Sequence, residues 1–334
     1  MSNLNRYDKY ANWLIKGGIT IIVISILLFT FKVSGLNFSG NINTVIFDHF
    51  GSFIGGLVGA LFSLAGVYLL ILNLRSQEID IKRQQIENRF FELIKIHREN
   101  CLEIKVPNNK IKGESEIKGR EVFGLLQREF YNSFALINKM ENPDIQKLNL
   151  GEKINIAYIS FFFGAAGKHT SNMVRKYLDN YNDEILNVIV VEYSKMRSEY
   201  NKVDIPYQIF SGHHSRLGHY FRHLYQTVNY IDNQPTEILD YKKKYEYIKT
   251  LRAQLSTQEQ VLFFFNSLST LGKNWELSDS ITENKQLITK YNLIKNIPDN
   301  YISILDIKDF YPDINYEGQK QATASKKRKI EKYT

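Results

Sequence analysis

The uncharged stretch FGSFIGGLVGALFSLAGVYLLIL, residues 50–72, decides the fold that we expect for this chain of 334 residues. None of its 23 residues carries a charge. At about 1.5 Å per residue, a helix of this length extends roughly 34 Å and can cross a hydrocarbon core of about 30 Å. Buried helices of soluble proteins are rarely so long and so apolar, so the stretch predicts a transmembrane helix.

A second apolar run, residues 13–31, precedes it, with Lys16 as its one charged residue. A lysine near a helix end can extend its ammonium group to the lipid headgroups. The basic start of the chain and the small residues Ser34 and Gly35 also fit a cleaved signal peptide. We expect instead a hairpin of two transmembrane helices in the lipid bilayer. Its helices cover about residues 12–32 and 47–74, within a membrane anchor of residues 1–74.

The positions of the lysines and arginines predict the orientation of this hairpin. Three precede or enter the first helix and four follow the second: Arg6, Lys9, Lys16, Arg75, Lys82, Arg83 and Arg89. Only Lys32 lies in the short connection between the helices. Because basic loops stay on the cytoplasmic side, we expect a multi-pass inner-membrane protein with both termini in the cytoplasm and a short outer turn at residues 35–44.

Small residues recur at every fourth position of the second helix, at Gly51, Gly55, Gly59 and Ser63. Such a face lets another helix backbone approach closely. The partner is either the first helix of the same chain, which carries Gly17 and Gly18, or a second copy of the chain. The second interpretation predicts a homo-oligomer.

The second helix is expected to continue beyond the membrane. Residues 75–106 contain neither glycine nor proline, and apolar residues spaced by seven occur at Leu72, Ile79, Ile86 and Leu93. This spacing is typical of a helix that packs on itself as a coiled coil or on a neighbouring domain. We therefore predict a juxtamembrane helix over residues 75–106.

The fold class that follows is mainly α, with the hairpin followed by an α-helical cytosolic domain at residues 107–316. Helical patterns occur at Val122–Met140, Ile154–Leu178, Asp183–Tyr200, Leu217–Ile231 and Tyr241–Leu271. We also expect a polar loop, a short strand and a disordered basic tail, at Asn108–Gly119, Tyr301–Ile307 and residues 317–334.

Composition excludes several classes of chemistry. Cys101 is the one cysteine, which rules out an intrachain disulfide framework and a cysteine-cluster zinc site. The chain has no GxxxxGK[ST], no GxSxG, and no GxGxxG followed by a helix, which disfavours P-loop and serine-hydrolase chemistry. We expect no cofactor and no metal. The net charge of +8 includes the run Lys326–Lys329, which either is solvated or binds anionic lipid or nucleic acid.

The most unusual local composition is HHSRLGHYFRHLY, residues 213–225, with four of the seven histidines. On a helix, His219 and His223 share a face. Three interpretations remain open: structural pairing, metal binding by these two histidines, or phosphate and RNA chemistry by Arg216, His219, Arg222 and His223. The spacing of Arg216 and His223 resembles the R-x(4–6)-H signature of helical HEPN ribonucleases.

Further polar residues predict a network within the domain. Its expected members are Arg120, Glu121, Arg252 and Gln254. On one continuous helix, Arg252, Ser256 and Glu259 would lie on one side, where Glu259 pairs with Arg252 or with a histidine.

Taken together, several motifs make the chain resemble the AbiC-like putative phage abortive infection proteins of bacteria, from about Phe50 to Tyr316. They are DHFGSFIGG at 48–56, FFEL at 90–93 with His97 and Asn100, GRE at 119–121, GHYFRHLY at 218–225 and RAQLS at 252–256. The resemblance implies defence against bacteriophage by arrest of the infected cell. It supplies no catalytic residue, and it leaves open whether the protein is an enzyme.

Two mechanisms follow as expectations. In the first, the domain senses an unidentified phage-derived trigger and the hairpin perturbs the membrane. The alternative is a membrane-tethered HEPN-like ribonuclease, whose partner would be RNA. A scaffold that localises another protein is a third option.

Overall fold

A computed structural model describes residues 2–33, 44–110, 115–167, 170–199, 205–277 and 285–316. The chain is mainly helical, with 72% helix and 2% strand, which confirms the predicted class at this level. The predicted outer turn lies almost wholly, and the basic tail wholly, outside the described residues.

The helices, in chain order, are α1 Ser2–Leu28, α2 Thr44–Glu103, α3 Arg120–Lys139, α4 Pro143–Lys147, α5 Leu150–Phe163, α6 Thr170–Tyr177, α7 Asp183–Ser198, α8 His214–Asp232, α9 Tyr241–Arg252, α10 Thr257–Leu268 and α11 Leu287–Tyr291. A π-helical turn, Phe29–Val33, ends α1, and 3₁₀ turns lie at Lys273–Trp275 and Ile307–Asp309. Two strands, β1 Lys105–Pro107 and β2 Glu116–Lys118, form an antiparallel pair.

The described residues form two compact units. The first contains the chain up to Glu87 and the short segment Pro235–Ile238, and the second contains the other residues from Asn88 onward, so the division falls within α2. In the first unit, α1 packs antiparallel on the first part of α2. The ring of Tyr7 lies 5.9 Å from that of Tyr68 at one end, and Phe29 stacks on Phe50 at 4.3 Å at the other. Small and branched residues fill the space between, at Ala11, Leu14, Val58 and Ala65.

Both helices of this hairpin are long and apolar enough to span a membrane. Only 11% of each apolar window is buried in the structure. Large apolar side chains are therefore left exposed, such as Trp13 at 72%, Phe53 at 64% and Leu70 at 56%. A contiguous apolar surface of this kind is typical of contact with lipid or with another protein. The finding suggests membrane association and is consistent with the predicted hairpin.

The glycine face of α2 does not contact α1. A Cβ added at Gly18 would lie 2.6 Å from the ring of Phe62, so the close approach of the two helices occurs there. A Cβ added at Gly51, Gly55 or Gly59 would meet nothing within 4 Å. Packing on the first helix therefore does not account for the three glycines, and their predicted role in self-association stays a prediction.

The continuity of α2 agrees with the absence of glycine and proline after residue 75. The helix runs without a break to Glu103. Its last turns, in the second unit, bury Phe90, Ile94, His97 and Cys101. These residues follow the 3-4 spacing of a helix that packs on a domain. A coiled coil between chains stays a prediction.

The core of the second unit forms where α3 crosses α5 and α10. The ring of Phe130 lies 5.9 Å from Phe161 of α5 and 4.2 Å from Phe265 of α10. From Ile156 to Phe163 every residue of α5 is buried, so α5 is a core helix. This aromatic layer packs against the start of α8, where the ring of Phe161 lies 4.9 Å from that of His213.

Two predicted helices are interrupted. The segment Ile154–Leu178 breaks at Gly164, whose φ is +89° and whose added Cβ would lie 2.6 Å from the carbonyl carbon of Ser211. Only glycine tolerates this conformation and this approach. The segment Tyr241–Leu271 breaks between α9 and α10, because Ser256 and Glu259 form a capping box.

The predicted strand at Tyr301–Ile307 was wrong. These residues form turns that lead into the 3₁₀ turn at Ile307–Asp309. The strands lie instead at the two ends of the predicted polar loop, with Val106 paired to Ile117. Val106 is buried, which explains why the short β1–β2 pair is held against the domain.

Candidate functional site

Helix α8 carries the polar residues singled out in the sequence. It begins at His214, three residues nearer to the N-terminus than predicted, with His213 at its N-cap position. Its buried side includes Leu217, Phe221, Leu224 and Val228, at the three- and four-residue spacing of a core-facing helix. The remaining faces hold the arginines and histidines.

His213 and Glu129 form a buried pair that the sequence did not single out. Glu129 is 0% and His213 2% exposed, and His213 Nε2 lies 2.9 Å from Glu129 Oε2. The other carboxylate oxygen accepts the main-chain N–H of Phe210 at 2.6 Å. Burial and then the Glu129 carboxylate raise the pKa of the neighbouring Tyr207 hydroxyl. The carboxylate thus fixes the start of α8 on α3.

The guanidinium of Arg216 donates its hydrogen bonds to main-chain carbonyls. Its Nε donates to the carbonyl of Lys105 at 2.8 Å, and Nη1 donates to the carbonyl of Gly212 at 3.3 Å. Nη1 also lies 3.5 Å from His213 Nδ1. The guanidinium therefore ties β1 to the N-terminal end of α8, which is a structural role.

The other predicted catalytic residues face different surroundings. His219 is exposed and lines a cavity of about 470 Å³ together with Arg216. Arg222 is exposed and lines a separate cavity of about 270 Å³. His223 is partly buried and stacks on His97 with ring centroids 6.1 Å apart. The four side chains therefore do not converge on one cavity in the described part of the chain.

The His97–His223 stack has unusual electrostatics. Within the described residues, the ring nitrogens of both histidines are buried without a hydrogen-bond partner. Burial, followed by His223 and Arg120, lowers the pKa of His97 to about 4. Burial and then Arg89 lower the pKa of His223. His97 is therefore neutral near pH 7. The described residues contain no group of three or more side chains that could hold a metal ion.

The predicted polar network is built differently from the expectation. Glu259, 1% exposed, accepts the hydroxyl of Tyr220 at 2.8 Å and the N–H of Ser256 at 2.7 Å. Its charged partner is Arg120, with Nε at 3.7 Å, rather than Arg252. Arg120 also donates to the carbonyl of Gln254 at 2.6 Å.

The remaining members of that prediction lie elsewhere. Arg252 is buried and donates to the carbonyls of Tyr291 at 3.2 Å and Asn292 at 2.9 Å. Glu121 is exposed in the first turn of α3.

Burial and the Glu259 carboxylate raise the pKa of Cys101 to about 12, so the thiol stays protonated and is a poor nucleophile.

These features define a mainly helical protein with an apolar N-terminal hairpin and, in its second unit, a helix rich in polar residues, α8. Residues 212–302 match the family described as putative phage abortive infection protein, putAbiC. The match begins just before α8 and includes α9, α10 and Glu259, and it confirms over this segment the resemblance drawn from the motifs. Comparison with curated proteins and with solved structures finds no match.

Proposed function

We propose that this chain is a membrane-anchored abortive infection protein, which detects phage infection in the cytosol and arrests the infected cell by perturbing the inner membrane. The observation that carries the proposal is the family match over residues 212–302. The lipid bilayer and a second copy of the chain are its proposed partners, and the phage-derived trigger is unidentified.

The exposed apolar surface of α1 and α2 supports the membrane part of the proposal. Leaving such surface in water costs about 25 cal/mol per Å², and lipid removes this cost. The basic residues that follow the apolar part of α2, including Lys82 and Arg83, favour a cytoplasmic domain. We infer an inner-membrane protein that crosses the bilayer twice, with both termini in the cytoplasm.

The helix α2 supports a route from the domain to the membrane. Its residues after Asn88 are packed in the second unit through Phe90, His97 and Cys101, while its earlier residues form the apolar hairpin. A change in the domain that moves this helix would act on its membrane part. The open glycine face offers a surface on which hairpins of several copies could reassemble.

The ribonuclease alternative has weaker support. It would use Arg216, His219, Arg222 and His223. Arg216 is held by two main-chain carbonyls, and the ring nitrogens of His223 are buried. A general base must reach the proton that it abstracts, which these nitrogens do not do in the described conformation.

Infection of cells that carry the chain tests the proposal. We expect fewer plaques, and at a high ratio of phage to cells we expect membrane potential to fall while RNA is still intact. Both quantities are followed over time with a potential-sensitive dye and by RNA electrophoresis, in wild type and His223→Ala. Unchanged plaque counts would exclude a defence function. RNA cleavage that precedes the loss of potential, and that His223→Ala abolishes, would replace the membrane mechanism with the ribonuclease.

A further inference from the structure

A cavity of about 270 Å³ lies between α5, α8 and the turn that follows α10. Six aromatic side chains line it: Phe162, Phe163, Tyr177, Phe221, Tyr225 and Trp275. The ring of Phe163 stacks on Tyr177, with centroids 4.5 Å apart, and on His214 at 5.5 Å, while Trp275 meets Tyr225 edge to face at 5.1 Å. Tyr177 and Tyr225 are the aromatic side chains of the lining that are not buried, so a planar ring entering the cavity can stack on them.

Arg222 gives this cavity a positive charge. Its guanidinium is exposed, and in the described part of the chain no hydrogen bond or ion pair engages it. Two other arginines near α8 already have partners. Arg216 donates to main-chain carbonyls, and Arg120 donates to the carbonyl of Gln254 and pairs with the carboxylate of Glu259. None of the described residues that line the cavity is acidic. The site therefore favours an anion, and Arg222 can offer two parallel N–H donors to a phosphate.

Gly218 leaves the floor of the cavity open. It lies inside α8, where a glycine costs about 1 kcal/mol relative to alanine. Packing does not require it, because an added Cβ would lie 3.6 Å from the His214 ring and 3.9 Å from that of Phe162, which are ordinary contacts. Gly218 thus weakens the helix without relieving a clash. Its presence is explained if a ligand occupies the space that a side chain would otherwise fill.

We infer that this cavity binds a nucleoside monophosphate. The base stacks on the aromatic side chains, the phosphate pairs with Arg222, and the amide of Asn274 at the rim can hydrogen-bond the edge of the base. Ligand cavities usually measure about 300–1,000 Å³, and this one, at about 270 Å³, lies just below that range, so it has room for one nucleotide and not for a longer chain. The inference goes beyond the proposed function and does not depend on it, since binding is measured on the purified protein.

Tryptophan fluorescence of the full chain in detergent tests the inference. The chain has two tryptophans, Trp13 and Trp275. In a Trp13→Phe variant, all of the tryptophan fluorescence comes from Trp275, which lines the cavity. We expect saturable quenching by at least one of AMP, GMP, CMP and UMP at a concentration below about 1 mM. Adenosine and ribose 5-phosphate serve as probes that lack the phosphate or the base, and each should bind at least tenfold more weakly than the matching nucleotide.

Two variants connect binding to the cavity. Gly218→Val fills the floor and Arg222→Gln removes the charge, and each should weaken binding at least tenfold. The matched controls are Gly124→Val, at another open glycine inside a helix, and Arg98→Gln, at another exposed arginine, and both should bind as wild type. Thermal melting checks folding, and if Gly218→Val fails to fold, Arg222→Gln decides alone. No quenching by any nucleotide up to 5 mM (roughly −3 kcal/mol of binding free energy), equal binding of ribose 5-phosphate, or unchanged affinity in the variants would overturn the inference.

Discussion

At the scale of residues, two buried histidines of the domain, His213 and His97, have opposite hydrogen-bonding environments. His213 meets the carboxylate of Glu129 at 2.9 Å, whereas His97 has no hydrogen-bond partner among the described residues, stacks on His223 and packs at a tilt against Tyr220. A charged imidazolium is stabilised by a carboxylate and is penalised in an apolar, positively charged site. Protonation of His97 should therefore oppose folding, and this sets a pH dependence of stability.

The pKa of His97 in the folded protein, about 4, is lower than its ordinary value of 6.5. Between these values the unfolded chain binds more protons, so stability is complete above pH 6.5 and falls as the pH drops toward 4. The loss from this side chain is up to about 3 kcal/mol. We expect His97→Leu to lose less stability than wild type over this range, as measured by thermal melting at pH 7.5, 5.5 and 4.5.

His219→Leu is the control for this pH dependence, because His219 is exposed on α8. Its melting temperature should fall with pH as in wild type. If His97→Leu and wild type respond to pH identically, then His97 is not the group whose protonation destabilises the domain.

At the scale of elements, α2 combines a face that packs on α1 with a face that packs on nothing described. Val58 and Ala65 are buried against the first helix, whereas Gly51, Gly55 and Gly59 are open. Sequence periodicity predicted the glycine face but not whether α1 would occupy it. The side chains decide this, because Phe62 fits over Gly18 of α1 and the three glycines point elsewhere.

Gly55→Ile tests whether the open face joins two copies of the chain. The hairpin should still form, because a Cβ at Gly55 meets nothing within 4 Å. A bulky side chain keeps helix backbones apart, so we expect less cross-linked dimer in membranes and loss of protection against phage. Gly56→Ile is the matched control, since Gly56 is equally open but is turned about 100° away on the helix. Full protection by Gly55→Ile at normal expression would contradict the proposal.

The breaks between helices show a second limit of predicting structure from sequence periodicity. The break before α10 was missed, although Ser256 and Glu259 have the three-residue spacing of a capping box and the sequence therefore contained its signal. The break at Gly164 had no such signal, since it arises where the chain passes against Ser211 and Gly212. A single glycine in an apolar segment does not reveal that another part of the backbone will pack against it.

At the scale of the whole molecule, the proposed topology determines where each unit can act. A reporter fused after Thr334 that is active only in the cytoplasm should be active, and the full chain should sediment with the membrane fraction. Deletion of residues 1–74 should release the product into the soluble fraction and remove protection, because the hairpin supplies the exposed apolar surface. A full-length product in the soluble fraction, or a reporter active outside the cytoplasm, would rule out the proposed arrangement.

The sequence by itself determined the apolar hairpin, the helical class and the helices at residues 120–139, 183–198 and 214–232 to within a few residues. These follow from length and periodicity, which are local properties of the chain. Only the tertiary structure decided which polar groups meet: Glu129 with His213, Arg216 with the carbonyl of Lys105, and Glu259 with Arg120. Periodicity tells which face of a helix a side chain occupies, but its partner comes from a distant segment, and packing alone brings the two together.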